Sequence, residues 1–350
     1  MTSGNQIRVD GGGDLTRFPW LGTYQLSTLE CRLLADGLRH FQVFTDGQFP
    51  LDVARQSLLA KITADKLMAQ AAPGLGRLIE RARGDLVDCV YITNLPTERS
   101  VASLLSLTLS SSIGRAFNYG SQNSGRLVME VTSDRSKTEE QCAEFDWQTE
   151  GVWIPRERRA EWICLLGVEN TPGSYTAYAP IGPVEPVLSA RVKAWLYSPS
   201  ACFRSPRGAS SSASIWSTPR AILSRSPLGH TEIVWPGHAI RAARSDDVTY
   251  NDAVAELSAE INRQHVRVSI EAGSFLAFNN FRGLHRQALA SDGYRLFYKT
   301  YARQSLRALQ ETGESGPIFS ATEVHASQQD VLDFVRTLRD ASGHIRLQRA

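Results

Sequence analysis

Long apolar runs are missing from this 350-residue chain. No stretch reaches the roughly 18 apolar residues that a membrane-spanning helix needs, and the opening MTSGNQIRVDGGG holds no apolar signal core. A cytoplasmic protein with no membrane partner is expected. A charge bias is missing too. The 38 lysines and arginines face 36 aspartates and glutamates, a net charge of +2 with both signs mixed along the chain. That is no electrostatic footprint for DNA or RNA. The five cysteines (Cys31, Cys89, Cys142, Cys164, Cys202) are scattered and contain no C-x-x-C pair. They read as reduced, mostly buried thiols. No internal repeat is present.

Local patterns punctuate the chain. Ser27-Thr28-Leu29-Glu30 fits a capping box, and Leu29, Leu33, Leu34 and Leu38 follow at helical spacing. Further helices are expected over 53–68, 75–83, 101–113, 188–196 and 253–263, and near 327–340. Strands are expected at DCVYITNLP (88–96), RLVMEV, EWICLLGV, SYTAYAP, TEIVW, HVRVSI, SFLAFNN and YRLFYKTYA. Residues 201–229 are rich in serine, arginine and proline and read as a solvated, lid-like loop. Helices lie early and strands late. The pattern suits one α+β domain: a helical part over 1–85, a double-layered antiparallel jelly-roll core over 86–305, and a helical extension over 306–350. Oligomeric state is left open.

Two segments carry the chemistry. In EFDWQTEGVW (144–153), Gln148 and Glu150 are two apart, so on a strand they share a face. In SFLAFNNFRGLHRQALASDGYRLFYKTYAR (274–303), an apolar strand ends in an asparagine pair, an arginine-containing turn leads to Leu284-His285, and a later strand opens with Arg295. Arg295, Lys299 and Arg303 recur every four residues and share one strand face, a basic stripe suited to one or two carboxylates.

Together these segments resemble the clavaminate synthase-like branch of the TauD-type non-haem iron(II), 2-oxoglutarate-dependent oxygenases. That branch carries a first motif W/L-H-T-E, a second D-N-R-R-x-x-H-G-R and a third R-W-L-x-R-x-Y. The resemblance covers roughly residues 85–305, with the three motifs in order. It implies a jelly-roll core, Fe(II) and 2-oxoglutarate as cofactors, and a small amino-acid-like substrate that is hydroxylated or desaturated in a natural-product pathway. Carried over residue by residue, it implies Glu150 and His285 as metal ligands and catalytic centre, with Gln148 where the first iron-binding histidine stands. Thr176 falls on the strand hydroxyl that touches 2-oxoglutarate. Lys299, fourteen residues after His285, falls on the arginine that holds the distal carboxylate, and Arg303 on the residue that meets the substrate carboxylate. Gln122 falls where a substrate amine is gripped, and Asp246 where an acid meets a basic substrate side chain.

Two positions depart from the pattern. Facial iron sites combine two imidazoles with a carboxylate. An amide at Gln148 keeps the formal charge but is a weaker donor with no second ring N–H to orient it, which predicts weaker iron binding. Lysine at 299 exchanges a planar fork for a point charge. A second reading therefore stands beside the first: a diverged barrel that binds a small carboxylate, or runs a metal-assisted reaction, without 2-oxoglutarate turnover. His230 in GHTEIV forms an H-x-E triplet and reads as an edge residue rather than a replacement ligand.

Overall fold

The structure, a computed structural model, describes residues 7–8, 18–45, 60–61, 64–65, 69–119, 126–133, 147–171, 174–204, 216–237, 239–288, 294–311 and 318–319. Most of the expected 53–68 helix and all of the 327–340 helix lie outside these residues, as do Gln122 and Cys142. The four described cysteines are free, three of them buried. No helix among the described residues is long and apolar enough to cross a membrane.

The chain is a mixed α+β structure built on two main sheets. The larger has eight strands, in the order Ile318–Phe319, Arg115–Tyr119, Arg295–Arg303, Trp162–Asn170, Phe275–Asn279, Cys89–Thr93, Leu21–Gln25, with Met129–Ser133 also paired to Arg295–Arg303. The smaller orders Ile7–Arg8, Val266–Val268, Tyr175–Pro180 and Gly283–Ala288. Pairing is antiparallel except at Leu21–Gln25 with Cys89–Thr93 and at Ile318–Phe319 with Arg115–Tyr119.

Side chains sort between layers with the strand period of two. Along the central strands, Val90, Ile92, Trp162, Cys164, Leu166, Phe275 and Ala277 face outward, where the helices Thr28–Thr45, Pro73–Arg83 and Arg99–Ile113 cover them. Their neighbours Cys89, Tyr91, Ile163, Leu165, Leu276 and Phe278 face inward and meet Tyr178, Val266 and Val268 of the smaller sheet. Ala177 and Ala179 on the far side of the smaller sheet pack with the helices Ala190–Tyr197 and Thr249–Gln264. Both faces of the central strands are thus buried, which is why they read as unbroken apolar runs.

The capping box at Ser27 forms: the Ser27 N–H donates to Glu30 Oε2 (2.7 Å) and the Glu30 N–H to Ser27 Oγ (3.2 Å). Leu34 and Leu38 of that helix are buried, while Leu29 and Leu33 face solvent. Residues 201–229 are not one loop. Ala201–Phe203 and Leu223–Arg225 are strands, paired with Ile240–Ala242 and Thr231–Ile233, and Phe203, Ile222 and Leu223 are buried. Residues 205–215 lie outside the described set.

The turn that leads into Gly283–Ala288 is anchored by charge. Arg282 pairs with Asp85 (3.0 Å) and Asp88 (2.8 Å). Burial raises the Asp88 carboxyl to about 6; Arg282 opposes this and Asp85 adds to it. The folded chain therefore takes up this proton before the unfolded chain does, and the contribution to stability falls as pH rises from about 4 to about 6. Compared with Asp88→Asn across that window in urea titrations, the wild type should lose stability on the order of 2 kcal/mol. Parallel pH profiles for the two proteins would exclude this role.

Candidate active site

The site begins at a break in regular structure. Gln148 and His285 form an isolated antiparallel bridge, each N–H donating to the other's carbonyl at 2.9 and 3.0 Å. Residues directly opposite one another project on the same face, so the two side chains share a side. The chain then turns at Gly151, whose φ of 67° is in the left-handed region glycine favours. Glu150 therefore sits at a turn rather than within a strand.

The asparagine pair fixes that turn. Asn279 Oδ1 accepts from the N–H groups of Phe281 (2.9 Å) and Arg282 (3.2 Å), building the bend before His285. Asn280 is fully buried. Its Oδ1 accepts from the Glu150 N–H (2.7 Å), and its Nδ2 donates to the carbonyls of Glu150 (3.0 Å) and Ala160 (3.0 Å). Only an amide side chain offers a donor and an acceptor in this arrangement.

The Glu150 carboxylate is engaged at both oxygens. Lys299 Nζ lies 2.5 Å from Oε1, and the Tyr301 hydroxyl donates to Oε2 at 2.7 Å. His285 Nε2 stands 3.7 Å from the same Oε1. Burial works to raise the Glu150 carboxyl, but Lys299, His285 and Tyr301 outweigh it, and the net shift is downward. His285 is buried against the Phe278 ring, 4.8 Å between centroids. Burial pushes it down to about 4, with Glu150 opposing, so the imidazole is neutral at neutral pH. Its Nδ1 is buried without a hydrogen-bond partner.

A second polar group lies on the same inner face. In the smaller sheet Thr176 is directly opposite Gln287, as Tyr178 is opposite His285. Gln287 Oε1 accepts from Arg295 Nη2 at 2.5 Å, which joins the two sheets. Arg295 is 3% exposed, and its Nε and Nη1 are buried without partners. Burial lowers its guanidinium to about 10, so it stays charged. Thr176 Oγ1 is likewise buried and unpartnered. A buried charge and a buried hydroxyl left unpaired are costly unless a ligand completes them.

The structure redistributes several expected roles. Lys299 is paired with Glu150; Arg295, four residues earlier on the same strand face, is a buried cation with two unpartnered nitrogens. Arg303 is no free anchor. Its Nη1 donates to the carbonyls of Arg156 (3.0 Å) and Arg159, and its Nε to that of Ser305 (3.2 Å), so it ties the loop after Glu150 to the sheet. Asp246 is at the surface in an ion pair with Arg244 at 2.8 Å. Glu232, the acid of the H-x-E triplet, is buried and held by Arg156. Gln287 and Tyr301 were not singled out in the sequence, and Asn280 only as a member of the asparagine pair. For Arg295 and Tyr301 a signal exists. Read by its own spacing, the third motif R-W-L-x-R-x-Y lays its arginines on Arg295 and Lys299 and its tyrosine on Tyr301.

Among the described residues, no three His, Cys, Asp or Glu side chains are grouped to hold a metal. A site here needs the Gln148 amide as third donor beside Glu150 and His285. The donor chemistry fits: a neutral imidazole, a carboxylate 3.7 Å from it, and an amide across the bridge. Loss of the Asn280 amide should disturb that set without touching a ligand. Asn280→Ala orphans the Glu150 N–H and should cost about 3 kcal/mol in denaturant unfolding, with metal affinity lowered at least tenfold in calorimetry. Retained affinity in a stably folded variant would show that Asn280 does not position Glu150.

No protein-family model matches the sequence, and no curated protein matches it by sequence alone. Solved structures do match in shape. An asparagine oxygenase in complex with Fe(II), 2S,3S-3-hydroxyasparagine and succinate aligns with a TM-score of 0.73 at 17% identity, covering 87% of this chain and 100% of that one. The non-heme iron oxygenase OrfP with Fe and alpha-ketoglutaric acid aligns at 0.70 and 16% identity, covering 85% and 99%. OrfP with Fe, succinate and (3S)-hydroxy-L-Arg aligns at 0.69 and 17%, covering 85% and 99%. This chain has the fold of non-haem iron oxygenases.

Proposed function

We propose that this protein is a cytoplasmic iron(II), 2-oxoglutarate-dependent oxygenase that hydroxylates or desaturates a free amino acid or a small molecule derived from one, in a natural-product pathway. Its two sheets then form the walls of a double-stranded β-helix. The observation that carries this reading is Arg295: a buried guanidinium with two unpartnered nitrogens, on the same inner face as the Glu150–His285 pair. A buried fork of this kind suits a carboxylate. The solved structures of similar fold, whose ligands include alpha-ketoglutaric acid, succinate, L-Arg and hydroxylated amino acids, support the same reading.

In this reading Arg295 takes the distal carboxylate of 2-oxoglutarate, Thr176 donates its hydroxyl to it, and Gln287 holds the plane of the guanidinium. Glu150, His285 and Gln148 hold the metal. When bound, iron(II) supplies the activation of dioxygen that couples keto-acid decarboxylation to oxidation of a C–H bond. Tyr301 keeps the Glu150 carboxylate oriented through Oε2, leaving Oε1 toward His285. The neutral imidazole offers Nε2 as a donor without losing a proton first. Phe278 beside His285 keeps water from one flank of the site. One observation favours the second reading, a barrel that binds a small carboxylate without turnover: the Lys299 ammonium lies on the would-be ligand Glu150.

Anaerobic titration separates the two. Iron(II) with 2-oxoglutarate should give a weak visible charge-transfer band, and Arg295→Leu should raise the keto-acid concentration needed for it roughly 100-fold. A flat spectrum at millimolar keto acid would favour the second reading. Independently, Gln148→His should tighten metal binding by about tenfold or more, since it restores a stronger donor. Calorimetry showing unchanged or weaker binding would mean that the amide is not a ligand.

A further inference from the structure

Lys299 stands in the place where a cation is expected. Its Nζ is 2.5 Å from Glu150 Oε1, the oxygen that also faces His285 Nε2 at 3.7 Å. The ammonium and a divalent metal between Glu150 and His285 would therefore compete for one carboxylate oxygen. Two like charges so close in a partly buried site repel strongly. The backbone of Lys299 cannot yield. It lies mid-strand, opposite Leu165 on one side and Met129 on the other. Its four-carbon stem can, because the ammonium is a point charge without fixed fork geometry. In the position it holds beside Glu150, the Nζ also lies 5.0 Å from the centre of the Tyr301 ring, which adds to the stabilisation of the cation there. The side chain is 17% exposed, within reach of an entering ligand.

We propose that Lys299 is a tethered counter-cation that holds the Glu150 carboxylate until a divalent metal displaces it, and that the displaced ammonium is then received by a carboxylate ligand, so that metal and carboxylate enter by one coupled exchange. This rests on Glu150 and His285 holding a metal. It adds that Lys299, which is not a metal ligand, sets how tightly the metal is held. An incoming carboxylate that draws Lys299 away from Glu150 raises metal affinity, even when that carboxylate has no keto group with which to chelate the metal.

The test is Mn(II) calorimetry on the full chain, with wild type, Lys299→Met, Lys299→Arg and His285→Ala. Glutarate serves as a dicarboxylate lacking the 2-oxo group. Lys299→Met should bind Mn(II) at least tenfold more tightly than wild type, while Lys299→Arg, which keeps the charge, should stay within about threefold of it. Glutarate should tighten Mn(II) binding severalfold in wild type and leave Lys299→Met unchanged. Equal or weaker binding by a folded Lys299→Met, equal tightening in Lys299→Arg, or no glutarate effect on wild type overturns the exchange. If Lys299→Met merely matches wild type and His285→Ala abolishes binding, the metal site stands and only the exchange falls. If neither protein binds Mn(II) at millimolar concentration, the metal site and the exchange fall together. Should Lys299→Met fail to fold, Lys299→Gln carries the same expectation, since it too removes the charge and keeps most of the stem.

Discussion

The Glu150 carboxylate must be held, largely shielded from solvent, between two sheets, and most of the local structure answers that requirement. A buried carboxylate needs a counter-charge and hydrogen bonds together. The Arg295–Arg303 strand supplies both, through Lys299 and Tyr301. The other sheet contributes the His285 imidazole, and a buried amide at Asn280 pins the backbone of the same residue. The contacts come from three places: the strand Arg295–Arg303, the strand Gly283–Ala288 and the turn at Asn280. The site therefore depends on the register of strands that lie far apart in sequence, and it assembles only when the two sheets have closed.

The arginines around it show how partner inventory separates framework from ligand site. Arg282 is satisfied by Asp85 and Asp88, and Arg303 by three backbone carbonyls. Arg156 is satisfied by Glu232. All three brace the turns on either side of Glu150 and His285. Arg295 is as buried as any of them, yet of its three nitrogens only Nη2 has a protein partner. Composition does not distinguish these residues; the groups opposite each guanidinium do.

What was legible in the sequence follows from how local the determinants are. The capping box at Ser27 needs only four residues, and it forms as the pattern predicts. The central strands were legible because burial on both faces leaves apolar runs. The Gly283–Ala288 strand was not, since GLHRQA carries no β-branched residue; its pairing with Tyr175–Pro180 makes it a strand, and Gly283 is required there because a Cβ would lie 2.4 Å from the Tyr178 phenol. The shared face of Arg295, Lys299 and Arg303 was readable from spacing alone. Their separate roles were not, because they depend on what lies opposite: a glutamine, a carboxylate and a run of carbonyls. Counting from His285 and spacing within the strand agree in laying the motif's second arginine on Lys299, and the strand spacing also lays its first on Arg295.

Gln148 and Lys299 then belong to one physical question. In the proposed metal site, a weaker donor on one side and a competing cation on the other would both lower the occupancy of a free metal ion. Neither alters the groups that fix the fold, because Gln148 pairs through its backbone and Lys299 through a flexible stem. The donor geometry set by Asn280 and Tyr301 can thus persist while affinity varies over orders of magnitude. In such a site the ligand that completes the charge balance decides when the metal stays. The unpaired guanidinium of Arg295 and the displaceable ammonium of Lys299, four residues apart on one strand face, are two cationic groups suited to a ligand bearing two carboxylates or to two ligands bearing one each.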